Sequence, residues 1–202
     1  MFISMLLRKK QFPQVAIWKM VIVDLWLLIT GVIGTMILAF LETGSFGGTS
    51  FYGAVFLVPI LILPALLLKI SYREILNLCA PAECAILIVM RFDCLDKGCC
   101  FGKYLPRLGF QFPNQIVEMI AGAIVMAALI WIYHKHRKAW LYPWYMIFYG
   151  VLRSIMQCFR YGGTKPWVLG MSAGHLWSLV SVIIGILWLL VVFKRRNREN
   201  PG

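Results

Sequence analysis

The chain has 202 residues, of which 61% are apolar and 14% charged, with a mean hydropathy of +0.79. A soluble domain carries about 25% charged residues, so this apolar excess excludes a soluble globular protein and points to burial in lipid. The formal charge of +12 does not indicate nucleic acid, because the basic residues sit in short clusters between apolar runs. That is the pattern of loops on an integral membrane protein.

A membrane-spanning helix needs about 20 mostly apolar residues. By that measure the sequence predicts an all-α, polytopic transmembrane helix bundle of about six spans, forming a single integral membrane domain over residues 1–202. The first span, about 15–40, carries Lys19 and Asp24 near its start, where a lysine can snorkel to the interface. A turn-rich loop follows over 41–50. The second span, about 51–70, contains Pro59 and Pro64 and is expected to kink. The third, about 75–90, contains Pro81 and Glu83, whose carboxyl should face an interior rather than lipid. The fourth, about 115–133, opens on Gln115 and Glu118. The fifth, about 140–158, holds Arg153 and Gln157 in its last turns. The sixth, about 175–193, ends in a basic tail over 194–202.

No cleavable signal peptide is evident, since the run Met1 to Leu7 is short and no small-residue cleavage site follows the first span. With the N-terminus inside, twelve Lys/Arg fall on inner segments and six on outer ones, which places the first 14 residues and the tail in the cytoplasm. The outer cations, next to the membrane, suit an anionic lipid headgroup.

The segment from Arg91 to Lys103 is not membrane filler: it mixes acidic and basic residues with Cys94, Cys99, Cys100, Gly98 and Gly102. Arg91 caps the third span, and Arg153, Gln157 and Arg160 are spaced to share one helical face. Three guanidiniums converging near one membrane surface would clamp a phosphate, although each arginine alone also fits simple snorkelling. The remaining cysteines, Cys79, Cys84 and Cys158, lie in apolar runs and read as small hydrophobes. Cys94, Cys99 and Cys100, with His175, are metal-ligating types. The adjacent pair, however, departs from the C-x2–4-C spacing of structural zinc and from the C-x-x-C redox pair. A compact turn in which Gly98 and Gly102 allow close backbone approach is the expected role. No metal and no cofactor are expected, and a non-enzymatic cysteine- or metal-binding membrane protein stays open as an alternative. His134 and His136 read as solvated residues of a basic turn, whereas His175 opens the last span on the outer side.

Four blocks, in order, resemble the bacterial prolipoprotein diacylglyceryl transferases. Gly47-Gly48-Thr49-Ser50-Phe51-Tyr52-Gly53 is similar to a Gly-Gly-x-Ser-Phe-His-Gly block. Ala80-Pro81 followed by Arg91, Cys94, Gly98, Cys99, Cys100 and Gly102 resembles the signature segment, in a variant with Gly-Cys-Cys. Phe112-Pro113-Asn114-Gln115-Ile116-Val117-Glu118 resembles His-Pro-x-Gln-Leu-Tyr-Glu. Tyr149-Gly150-Val151-Leu152-Arg153 through Arg160 resembles Tyr-Gly-x-x-Arg-Phe-x-x-Glu-x-x-Arg, with Ser172, Gly174 and Ser178 after it. The chain departs from the family at Tyr52 and Phe112, which replace histidines. Cys94 and Cys99 replace an asparagine and a glutamate, and Gln157 replaces a glutamate. The family's usual first span of seven has no counterpart.

The resemblance implies transfer of diacylglyceryl from phosphatidylglycerol to the lipobox cysteine of a preprolipoprotein, at the extracytoplasmic side of the bacterial plasma membrane. The catalytic residues it implies are Tyr52, Arg91, Arg153 and Gln157. Those expected to contact substrate are Gly47, Gly48, Gly98, Cys99, Gly102, Gln115, Glu118, Arg160 and His175. A transferase of the same fold with a different acceptor is the alternative that Tyr52, Cys99 and Gln157 suggest.

Overall fold

In a computed structural model of the protein, the described residues are 15–45, 50–107, 109–136, 139–160 and 170–199. They form six α-helices: α1 (Ile17–Thr43), α2 (Phe51–Leu61), α3 (Tyr72–Asp96), α4 (Asn114–Lys135), α5 (Leu141–Phe159) and α6 (Ala173–Glu199). A 3-10 helix, Leu63–Leu68, follows α2, and a two-stranded antiparallel ladder pairs β1 (Tyr104–Leu105) with β2 (Phe110–Gln111). This is an all-α, polytopic membrane architecture.

Of the six expected spans, α1, α3, α4 and α6 are long and apolar enough to cross a bilayer. Their outward residues agree: Leu25, Ile29 and Val32 on α1, and Leu187 and Leu190 on α6, are about half exposed, a display that only lipid would cover favourably. The second expected span is a correction. Instead of a kinked helix over 51–70, α2 stops at Leu61, two residues after Pro59, and the chain tightens into the 3-10 turn with Pro64 near its start. The fifth, α5, runs 19 residues, but its tyrosines, Arg153 and Gln157 leave it without an apolar stretch as long as those of the other four. The third span is also longer than its hydropathy suggests: α3 runs on through Arg91 to Asp96.

The chain divides into two compact units. One comprises Met1–Glu83 and Ile130–Leu141, the other Cys84–Leu129 and Tyr142–Gly202. Both α3 and α4 therefore run from one unit into the other.

In the first unit, α1 and α2 approach through glycine. A Cβ on Gly53 would fall on the Gly34 carbonyl, and one on Gly34 would lie 2.6 Å from the Gly53 oxygen. Small residues at such crossings let membrane helices pack backbone to backbone. The break after α2 frees carbonyls that must find donors where water is scarce. Tyr72 Oη donates to Pro59 O at 2.6 Å, Trp26 Nε1 to Leu61 O at 2.9 Å and Lys19 Nζ to Leu68 O at 2.8 Å. Lys19 thus serves a carbonyl rather than only snorkelling. The buried Asn77 bridges α3 to the α4–α5 link, donating to Ala139 O at 3.0 Å and accepting from Leu141 N at 2.8 Å.

In the second unit the same device recurs. A Cβ on Gly150 would lie 2.8 Å from Ser178 O, and one on Gly185 2.8 Å from Pro143 O, so α5 and α6 are pressed together. Ser181 Oγ donates across that seam to Met146 O at 2.9 Å.

Gly53→Val should therefore lower the stability of the detergent-solubilised protein by about 3 kcal/mol, because a backbone collision cannot be relieved by a rotamer change. Gly44→Ala, at the left-handed end of α1 (φ 68°) with nothing near its Cβ, should cost only about 1 kcal/mol. Thermal unfolding of the two variants checks the contrast, and equal losses would contradict the close crossing.

Candidate active site

The polar residues of the second unit gather around one carboxylate. Glu118, on the first turns of α4, is 5% exposed. Its Oε1 accepts from Arg153 Nη1 of α5 at 2.5 Å and from Asn114 Nδ2, one turn earlier on its own helix, at 3.0 Å. Its Oε2 forms an ion pair with Nε of Arg91 on α3. That second contact is close, yet no acceptor lies in line with the Arg91 Nε–H, so it counts as charge pairing rather than a directed hydrogen bond. Three helices far apart in sequence thus bring two guanidiniums to one buried carboxylate. Arg91 is 8% exposed.

Below this cluster lies a narrow apolar recess of about 20 Å³, lined by Leu87, Gly122, Val125, Tyr149, Leu152 and others, with Glu118 and Arg153 at its polar end. Its room is about that of one water. Gly122 matters here because a Cβ would sit 3.2 Å from Ile88, tightening α4 against α3.

The end of α3 explains the cysteine segment. Gly98, at φ 60°, follows the helix in the left-handed conformation that glycine adopts most easily. Gly98 N donates to Leu95 O at 3.2 Å and Cys99 N to Cys94 O at 3.0 Å, the paired bonds of a Schellman helix end. Side chains at the two positions joined by its longer bond normally touch, and here they are the thiols of Cys94 and Cys99. Cys100 is itself left-handed (φ 60°), which brings a third thiol to the same place. The three sulfurs lie within 4.8 Å of one another. Arg91 Nη1 points at Cys94 Sγ (3.9 Å) and Arg160 Nη2 at Cys100 Sγ (3.7 Å).

The thiols differ electrostatically. Hydrogen bonds with Cys94 and then Cys100 push the Cys99 thiol up to about 11. Burial pushes Cys100 up, but the Arg160 charge, the bonds from Cys99 and Cys94 and the Arg91 charge outweigh it, leaving it below the ordinary thiol range. Arg160 is itself pushed down, first by burial and then by the like charges of Arg153 and Arg91, so the three arginines feel one another.

The loop is fastened at both ends. Gly102 N donates to Phe112 O at 3.1 Å, Lys103 N to Phe159 O at 2.7 Å, and Gly102 bridges to Arg160. A Cβ on Gly102 would lie 2.6 Å from Phe112 O, and Phe112 stacks on Phe159 at 4.7 Å. Gly102 is thus a packing glycine. Gln115 Nε2 holds the Cys99 carbonyl at 2.5 Å. A second polar chain runs from Gln157 Nε2 to Ser172 Oγ (3.4 Å), on to His175 Nδ1 (2.9 Å), and from His175 Nε2 to Cys158 Sγ (3.6 Å).

Several expectations are corrected by this geometry. Arg91 is not a cap or loop residue but lies inside α3. Arg153, Gln157 and Arg160 do not act from one helical face: Arg160 lies beyond the end of α5 and turns to Cys100, Gln157 turns to Ser172, and only Arg153 meets Glu118. Tyr52 lies in the first unit on α2, 4% exposed and stacked on Phe56 at 5.7 Å. Gly47 and Gly48 lie outside the described residues. Asn114 was not anticipated as a site residue, although its spacing of four from Glu118 is the signature of a side-chain pair on one helical face. Cys158, read as a small hydrophobe, is exposed and touches His175.

No curated protein matches the chain. A family model described as prolipoprotein diacylglyceryl transferase does, over residues 1–191 of the 202, and the chain accordingly belongs to that family of membrane transferases of lipoprotein lipidation.

Proposed function

We propose that this protein transfers the diacylglyceryl group of phosphatidylglycerol to the thiol of a lipobox cysteine in a preprolipoprotein, at the extracytoplasmic face of a bacterial plasma membrane. The observation that supports this most is the convergence of Arg91 and Arg153 on Glu118. Two guanidiniums against one carboxylate leave a net positive charge in a poorly hydrated place, and such a place favours an anionic headgroup. Each guanidinium has five N–H donors in a planar fork suited to phosphate oxygens.

The reaction makes one bond and breaks one. The acceptor sulfur attacks the glyceryl carbon that carries the phosphate, a carbon–sulfur bond forms, and the carbon–oxygen bond to phosphate breaks. Glycerol phosphate departs with the electron pair, and Arg91 and Arg153 stabilise the charge it gains. The thiol gives up its proton as it attacks, and the family resemblance assigns Tyr52, at the family's histidine position, to that step. Tyrosine, with an ordinary pKa of ~10, is a weak base, but a thiol near ~8.5 already supplies a few per cent thiolate at neutral pH. The acceptor's own chemistry therefore bears most of the activation.

Glu118 is a positioning residue in this scheme. It fixes both guanidiniums before substrate arrives, so less rotamer entropy is lost on binding. Because the recess is nearly filled, entry of a headgroup shifts the arginines from the carboxylate onto phosphate. Arg160, Gln115, His175, Cys99, Gly98, Gly102, Gly47 and Gly48 are assigned to substrate contact on the family resemblance. Gln157 orients His175 through Ser172. The changes at Tyr52, Cys99 and Gln157 favour a second reading, the same donor chemistry on a different acceptor.

Purified protein incubated with phosphatidylglycerol and a lipobox peptide should yield a thioether-linked diacylglyceryl peptide by mass spectrometry. An unmodified peptide together with a consumed lipid would favour the second reading. Arg153→Ala should lower the rate about 100- to 1,000-fold, the scale of losing one charge-stabilising donor, and Arg153→Lys should recover only part of it. Full activity of Arg153→Ala would remove that residue from the mechanism. Glu118→Gln removes the negative charge that two buried cations share and should lower stability by about 3–5 kcal/mol, read as a fall in the unfolding temperature, whereas an unchanged temperature would contradict the pairing.

A further inference from the structure

We propose that Cys94, Cys99 and Cys100 form a binding site for one thiophilic d10 metal ion, of the Zn(II) or Cu(I) kind, seated on the end of α3. The three sulfurs already lie within 4.8 Å of one another. Three thiolates around one ion, with metal–sulfur bonds of about 2.3 Å, need sulfur separations of roughly 3.8–4.0 Å. Closing the site therefore takes side-chain rotation of under about 1 Å, with no movement of the helix end.

The sequence spacing that argued against a zinc site assumes ligands from a loop or hairpin. Here a different piece of local structure does the gathering. A Schellman ending sets its third-last helical residue against the second residue past the cap, which makes Cys94 and Cys99 neighbours although five apart. The left-handed backbone at Cys100 (φ 60°) supplies the third ligand. A non-glycine residue holds that conformation at a cost of about 1–2 kcal/mol. Both turns are pinned from outside, by Gln115 Nε2 on the Cys99 carbonyl and by the Gly102–Arg160 bridge.

Charge supports the same assignment. Three thiolates on a divalent ion carry one net negative charge, and on a monovalent ion two. The Arg91 and Arg160 N–H groups aimed at Cys94 and Cys100 sulfur are outer partners of the kind that orient and neutralise metal-bound thiolates. Loading is a simple exchange in which each coordinating thiol releases its proton as its sulfur joins the ion. Cys99 is exposed and leaves one side of the ion open. The site shares Arg91, Arg160 and Cys99 with the proposed lipid transfer, but metal binding is read without turnover and stands whether or not that proposal does.

Reduced, full-length protein in detergent, titrated anaerobically with Cd(II), should develop a sulfur-to-cadmium charge-transfer band that saturates at one ion per chain and is displaced by Zn(II) or Cu(I). Cys99→Ser and Cys94→Ala should abolish the band. Cys158→Ser, which removes the thiol beside His175, and Arg153→Ala should retain it. Arg160→Gln should weaken binding about tenfold. Zn(II) should also raise the unfolding temperature of the wild type and not of Cys99→Ser, which shows that the variant was folded and lacked only the site. No band in the wild type, a band that survives in Cys99→Ser, or one lost in Cys158→Ser overturns the assignment.

Discussion

Two guanidiniums cannot share a buried place in a membrane protein without an anion between them, since like charges at a few ångströms repel strongly where water is excluded. Glu118 is that anion. It bonds Arg153 of α5 on one oxygen and pairs with Arg91 of α3 on the other, and Asn114 steadies it from one turn away. Three helices are registered against each other by a single side chain. The tight approach at Gly122 sets α4 against α3 at the separation these contacts need, while Gly150 and Gly185 press α5 onto α6.

Under the proposed function, the same arrangement carries the family's chemistry despite the changed residues. Phosphoryl-linked leaving groups need positive charge held ready more than they need a strong base, and a thiol acceptor brings a reactive sulfur of its own. Under that proposal, replacement of histidines by Tyr52 and Phe112 touches the less demanding part of the reaction. Phe112 has an evident packing use against Phe159 and Gly102, which a histidine would fill less well. Cys94, at the asparagine position, touches Arg91 through sulfur, and Cys100, next to the glutamate position at Cys99, touches Arg160. The cationic character of the region is kept while the groups around it change.

Much of this was legible in the sequence. The apolar runs located α1, α3, α4 and α6 because lipid burial needs length and little else, and the costly charges, Arg91, Arg153 and Glu118, stood out against that background. That all three meet was not readable, because it depends on the rotation of each helix about its axis. The end of α3 was misplaced for a related reason. Hydropathy falls after Met90, but helix formation does not depend on hydropathy: Phe92 and Leu95 continue an apolar stripe, Asp93 and Lys97 pair at 2.7 Å, and termination waits for Gly98. The break after α2 was underestimated because its support comes from Trp26, Lys19 and Tyr72, residues distant in sequence. The ladder of β1 and β2 is too short to leave a period in the sequence.

The central claim is that Arg91 and Arg153 together form a seat for a lipid phosphate. Native mass spectrometry of the protein, released from micelles holding equal phosphatidylglycerol and diacylglycerol, tests it without any acceptor or turnover. The account predicts retention of phosphatidylglycerol by the wild type and loss of that preference in the Arg91→Ala/Arg153→Ala double variant. Equal retention of phosphatidylglycerol by both proteins would contradict it.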